Sequence, residues 1–104
     1  MEREDALKLI KEKVSKQNLI KHMLAVEAIM IGMANRLSED ERSWGLTGLL
    51  HDVDFGTTEK TPINHGIVAS EILDGMVYEQ VIRAIKAHNF ENTKVMPESR
   101  IEKA

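Results

Sequence analysis

Four histidines stand at positions 22, 51, 65 and 88, and His51 is followed directly by Asp52. A further carboxylate, Asp54, closes the stretch GLTGLLHDVDF over residues 45–55. Six apolar or small residues in a row suit a buried helix. A carboxylate at the end of such a helix needs a partner, because burying a charge without one is costly. Neutral imidazole is a natural ligand for zinc, iron, manganese or nickel, and carboxylate oxygens add charge to such a site.

The histidines test this idea against their own surroundings. His88 follows Val81 and Ile85 by seven and three residues, so it continues an apolar stripe. His65 precedes Val68, Ala69 and Ile72 by three, four and seven, so it begins one. His22 lies beside Leu19 and Val26, and His51 follows Thr47 by four on the segment that carries Trp44. A single inward histidine is ordinarily a hydrogen-bonded core residue. Four of them on different helices or helix ends, one beside an aspartate, point to a shared cation that removes the desolvation cost of each ring. Adjacent helical side chains diverge by about 100°. At a helix end that opens into a loop, His51 and Asp52 can still approach one ion from the side, anchored by the apolar residues before them.

The elements that must position these residues read as helices. Leu7, Ile10 and Val14 give helical spacing over 3–14. A break follows at 16–18, with Asn18 as the expected N-cap. Leu19, Met23, Val26, Met30, Met33 and Leu37 mark one stripe of a long helix over 19–37. Ser38 and Glu41 form a capping box for a helix running to about His51. Residues 54–61 read as a loop. Thr61 and Pro62 open a helix to about Leu73, and another covers about Tyr78 to Phe90. Ser99 is the expected cap of a last turn after Pro97. The methionines Met23, Met30, Met33 and Met76 read as core fillers. No period-two run or hairpin signal is present. The expected fold class is an all-α bundle of five to six helices in one domain spanning 1–104.

Composition narrows the function. The chain has 104 residues, 42% hydrophobic and 30% charged, a net charge of −3 and no cysteine. No apolar run approaches the roughly 18 residues of a membrane span, and MEREDALKLIKEK lacks the apolar core of a signal peptide. The expected location is cytoplasmic, with no membrane partner. Lys and Arg are dispersed and the four aromatics are not interleaved with them, so nucleic acid is not an expected partner.

These residues resemble the HD (His-Asp) superfamily of metal-dependent phosphohydrolases. The resemblance rests on LIKHMLAVEAIM around His22, GLLHDVDF around His51 and Asp52, NHGIVASEIL around His65 and VIRAIKAHN around His88. It implies that His22, His51 and Asp52 hold one divalent transition metal (Fe, Mn, Zn, Ni or Co). It also implies that Asp52 bridges to a second ion held by His65 and His88, and that Asp52 is the catalytic carboxylate. The implied reaction is hydrolysis of a phosphate ester, of a nucleotide or related small phosphate, by metal-activated water. Lys60, Arg83 and Lys86 are the candidate substrate-binding cations. Asp54 is expected behind the ligands or as a substitute ligand, and Glu27 as a rim residue able to orient His22.

The family's first site is normally completed by an aspartate on a helix after the fourth histidine, and the sequence ends at ESRIEKA before such a residue. The expectation is therefore a domain shortened at its C-terminus. Apolar surface from Val26, Met30, Val81 and Ile85 is then expected to lie open and to drive homo-oligomer formation. The alternatives to an enzyme are a metal-binding or regulatory module without turnover, and a helical interaction domain whose histidines are coincidental.

Overall fold

The alternation of charged and apolar residues in REDALKLIKEK makes the first helix amphipathic. In the computed structural model, which describes residues 1–58 and 61–103, it forms α1 (Arg3–Lys13), begun by a capping box between Glu2 and Asp5. Ala6 and Ile10 face the core, and Val14 ends the helix in extended conformation.

α2 (Gln17–Leu37) is the longest element. It begins one residue before the expected cap: Lys16 is the N-cap, and Asn18 already lies in the first turn. Its buried line is Met23, Glu27, Met30 and Ala34. Met33 and Leu37, expected on the same stripe, are 37% and 42% exposed, and Met76 is also exposed. The stripe is rotated toward Ala34, which is buried in a cluster with Met30 and Trp44. Glu27 does not approach His22. Arg3 donates to it twice, Nε to Oε2 at 2.7 Å and Nη2 to Oε1 at 3.0 Å.

Ser38 does not cap α3. It sits in the left-handed region with φ 56° and ends α2, its N–H directed at Ala34 and Asn35 carbonyls. Asp40 takes the N-cap role for α3 (Glu41–Leu50), accepting from Arg42 N at 3.2 Å and Ser43 Oγ at 2.6 Å. Every residue of α3 from Ser43 to Leu50 is buried, which accounts for the apolar GLTGLL run. Gly48 is required for this depth. A Cβ there would lie 2.8 Å from the Val26 carbonyl oxygen and 3.0 Å from Met30 Cγ. α3 therefore packs backbone to backbone on α2.

The loop expected at 54–61 contains a single turn, α4 (Phe55–Thr58). The helix expected from Pro62 to Leu73 is split. A 3₁₀ turn covers Pro62–Asn64, and α5 (Ile67–Leu73) starts only after Gly66 at φ 91°. A Cβ on Gly66 would meet Thr93 Cγ2 at 3.2 Å and the Ile85 carbonyl oxygen at 3.5 Å, so both conformation and space demand glycine. His65 thus sits in a turn rather than on a helix.

α6 (Glu79–Ala87) buries Val81, Ile82, Ala84, Ile85 and Ala87, and the short α7 (Phe90–Thr93) follows. α8 (Arg100–Lys103) is preceded by Ser99, whose Oγ accepts weakly from Glu102 N–H at 3.4 Å. The main core joins Ala6, Ile10, Met23, Leu46, Leu49, Leu50, Val53, Leu73, Val81 and Ile85, and Ile101 of α8 packs on a second group of Met30, Ala34 and Trp44. Val81, Ile85 and Met30, expected to lie open, are buried. α6 turns the first two into the main core, and α8 covers the third. The described residues contain no strand, so the all-α expectation holds. Five helices of seven residues or more carry the fold, with three four-residue turns between or after them.

Candidate metal centre

α3 ends at His51, and the chain then turns through 51–54 before α4. This turn brings Asp52 to the point where the four histidines meet. His51 Nε2 lies 2.9 Å from Asp52 Oδ2, and His22 Nε2, arriving from the side of α2, lies 3.5 Å from the same oxygen. The other oxygen, Oδ1, faces His65 Nε2 at 3.1 Å and His88 Nε2 at 3.9 Å. His65 and His88 present their Nε2 atoms to each other at 2.8 Å. Two groups of three possible ligands result, His22–His51–Asp52 and Asp52–His65–His88, sharing Asp52. The contacts to Asp52 are shorter in the first group, at 2.9 and 3.5 Å against 3.1 and 3.9 Å in the second. His22 is the outlying member, its side chain 52% exposed against 16% for His51.

The back of each inner ring is fixed. His51 Nδ1 faces the Gly48 carbonyl oxygen at 2.7 Å, and His88 Nδ1 faces the Ile85 carbonyl oxygen. A carbonyl oxygen only accepts, so in both rings Nδ1 carries the hydrogen. In the neutral ring Nε2 then presents a lone pair toward Asp52. Both histidines occupy helix C-cap positions, and their i−3 carbonyls are the otherwise unpaired acceptors of the last turn. His65 has a different anchor. Its Nδ1 faces Asp54 Oδ1 at 2.6 Å, and its backbone carbonyl accepts from Asn89 Nδ2 at 2.9 Å.

Asp54 is therefore a support and not a ligand. It is buried, and it lies on the side of the His65 ring away from Asp52. Its second oxygen accepts from Gly66 N–H at 2.8 Å and Ala69 N–H at 3.0 Å. Sequence reasoning placed Asp54 behind the ligands or as a substitute ligand, and missed its role in tying residues 65–69 down. The available signal was a carboxylate two residues beyond Asp52 in a segment that is apolar throughout. Asn89, beside His88, holds His65 through its side-chain amide.

The donor set fits a cation. Without one, Nε2 lone pairs crowd around a carboxylate, and protons must take up the strain. Hydrogen bonds donated to Asp52 and then to Asp54 raise His65 to about 9 despite its burial. Burial opposes a charge on His51, yet the Asp52 contact prevails and raises it. Burial lowers His88, whose ring lies between two other imidazoles. Burial would raise Asp52, but hydrogen bonds from His51 and His65 hold it well below the ordinary carboxylate range. Asp54 is lowered too, its burial outweighed by His65 and the Gly66 and Ala69 N–H groups. An anionic Asp52 ringed by nitrogen donors is the electrostatic signature of a divalent-cation site.

Two of the candidate substrate cations have acidic neighbours. Arg83 Nε pairs with Glu102 at 3.0 Å and its Nη2 lies 3.6 Å from Glu98. Lys86 lines a groove with Ser70, Glu71, Asp74, Glu79 and Ile82. Lys60 lies outside the described residues. A small cavity of about 190 Å³ adjoins His51 and His88, walled by Val26, Met30, Thr47, Gly48, Ala84, Ile101 and by Glu102, the partner of Arg83.

Comparison with known proteins agrees with this geometry. The chain is 29% identical over 79 residues to Ribonuclease Y of Lawsonia intracellularis (strain PHE/MN1-00), which covers 75% of the chain and 15% of that protein. The chain thus spans a small part of this curated relative's length. No solved structure matches at a significant level. The HD domain family model matches residues 19–103, which include all four histidines and Asp52. A match over most of the chain, containing the whole imidazole and carboxylate cluster, places the protein in the HD domain family.

Proposed function

We propose that the protein is a metal-dependent phosphohydrolase that cleaves a phosphate ester, with a nucleotide as the substrate class. The observation that supports this is the Asp52 carboxylate, with His22 and His51 on one oxygen and His65 and His88 on the other. His22, His51 and Asp52 would hold one ion, and Asp52, His65 and His88 a second. A bound divalent metal supplies a water of lowered pKa and polarises the phosphoryl oxygens. Asp52 keeps its negative charge at working pH, so it is available both as a ligand and as the acceptor that orients an attacking water. The cavity beside His51 and His88 gives apolar room for part of the substrate. The relative named a ribonuclease is consistent with a phosphodiester as the scissile group.

A second reading, a metal-binding module without turnover, is favoured by one feature. Each candidate ligand group contains a single carboxylate, the shared Asp52. Elemental analysis after loading with Mn²⁺, followed by hydrolysis of bis(p-nitrophenyl) phosphate, separates the two. Metal uptake with turnover that is lost in Asp52→Ala supports the enzyme. Uptake with turnover no greater than that of Asp52→Ala supports the module. No uptake at all refutes both.

A further inference from the structure

We infer that Asp54 is a positioning residue that sets the tautomer of His65, standing in for the backbone carbonyl that sets it in His51 and His88. The inference rests on the metal reading only for its effect on affinity. His51 and His88 close helices, and a carbonyl three residues back is in place to accept from Nδ1. His65 follows a 3₁₀ turn and precedes Gly66 at φ 91°, and its Nδ1 turns to Asp54 instead. The Asp54 carboxylate, an acceptor at both oxygens, meets among its described partners Nδ1–H of His65 and the N–H groups of Gly66 and Ala69. All three contacts are satisfied only if Nδ1 carries the hydrogen. Nε2 is then left as a lone pair aimed at Asp52 Oδ1.

This arrangement makes the Asp54→Asn substitution informative. The amide has one accepting and one donating end. Two backbone N–H groups compete with one imidazole for the accepting end, so the amide oxygen faces Gly66 and Ala69. The NH₂ group then faces His65 Nδ1 and forces it to accept. The hydrogen moves to Nε2 and points at Asp52 and His88, where a ligand lone pair is needed. Loss of a support of this kind typically weakens metal affinity by about 10–100-fold.

The test is a long-range ¹H–¹⁵N correlation spectrum of the metal-free full chain, at a pH where His65 is neutral, with Zn²⁺ titration of the same proteins in separate samples at neutral pH. Expected for the wild type is the Nδ1–H form of His65. Expected for Asp54→Asn is the Nε2–H form, with Zn²⁺ affinity reduced by at least about tenfold. A wild-type ring in the Nε2–H form overturns the inference, and this result does not depend on whether the variant folds. An Asp54→Asn protein that keeps Nδ1–H and wild-type affinity also overturns it. Failure of the wild type to take up zinc counts against the metal reading alone, since the spectrum of the metal-free ring decides the Asp54 assignment separately.

Discussion

Replacing Gly48 by alanine should destabilise the protein, although alanine is the better helix former. The new Cβ would stand 2.8 Å from the Val26 carbonyl oxygen, 3.0 Å from its carbon and 3.0 Å from Met30 Cγ. Two of these atoms are backbone, so no rotamer change relieves them, and α2 and α3 must separate by about half an ångström to restore ordinary contact distances. Overpacking of this kind costs about 1–3 kcal/mol, and the rigid backbone places Gly48→Ala at the upper end. Helix propensity returns up to about 1 kcal/mol. The net loss is about 2 kcal/mol, or roughly 10 °C in Tm for a domain of this size. Gly32, in the middle of α2, is the control. A Cβ there meets nothing within 4 Å, so Gly32→Ala should gain up to about 1 kcal/mol from propensity alone. Urea unfolding of both variants, followed by circular dichroism, measures the pair. Gly48→Ala at or above wild-type stability would refute the close approach of the two helices. Because the Gly48 carbonyl also orients His51, Zn²⁺ affinity should fall along with stability in this variant and stay unchanged in Gly32→Ala.

Two further outcomes are expected. Arg3→Ala leaves the buried Glu27 carboxylate without its bidentate partner and should cost about 1–3 kcal/mol in urea unfolding. A loss below about 0.5 kcal/mol would show that Arg3, half exposed as it is, contributes nothing. In metal-free protein kept in chelator, His65 is raised from 6.5 to about 9 by Asp52 and Asp54. The folded state holds that proton more tightly, so the stabilisation is full below about pH 6.5 and is lost as pH rises through about 9. Its upper bound is about 3 kcal/mol. His88, lowered by burial, has the opposite sign and loses its contribution as pH falls below about 6.5. Stability should therefore decline between about pH 6.5 and 9, and a flat profile there would contradict the His65 network.

Much of the helical framework was legible because apolar spacing alone fixes which residues can share a face. The Leu7, Ile10 and Val14 spacing delivered α1 nearly to its ends, and Val81 and Ile85 delivered α6. What failed was arbitration between competing local signals. Ser38 read as the N-cap of α3, yet it ends α2 in the left-handed region, and Asp40 begins the next helix. Thr61 and Pro62 form a good helix start, but the chain must bend at Gly66 to clear Thr93 and Ile85, which are distant in sequence. The convergence of the histidines was readable because each lay on or beside an apolar stripe. The closeness of His65 to His88 depends on Asp54 and Asn89, whose partners are long-range hydrogen bonds with no periodic trace. Arg83 was singled out as a candidate substrate-binding cation, and its acidic partners, Glu98 and Glu102, which come from the chain end, left no periodic trace.

Asp52 draws its neighbours from residues 22, 51, 65 and 88, so no continuous stretch of the chain contains the cluster. Bringing such distant segments together requires loop closures that the hydrophobic core must offset first. The two ligand groups differ in what they require. His22, His51 and Asp52 need only α2 and the end of α3 to meet, whereas Asp52, His65 and His88 also need α6 in place. A partly folded form with α6 undocked would thus retain one group and lose the other, and capture of a second cation would report on whether the whole domain has assembled.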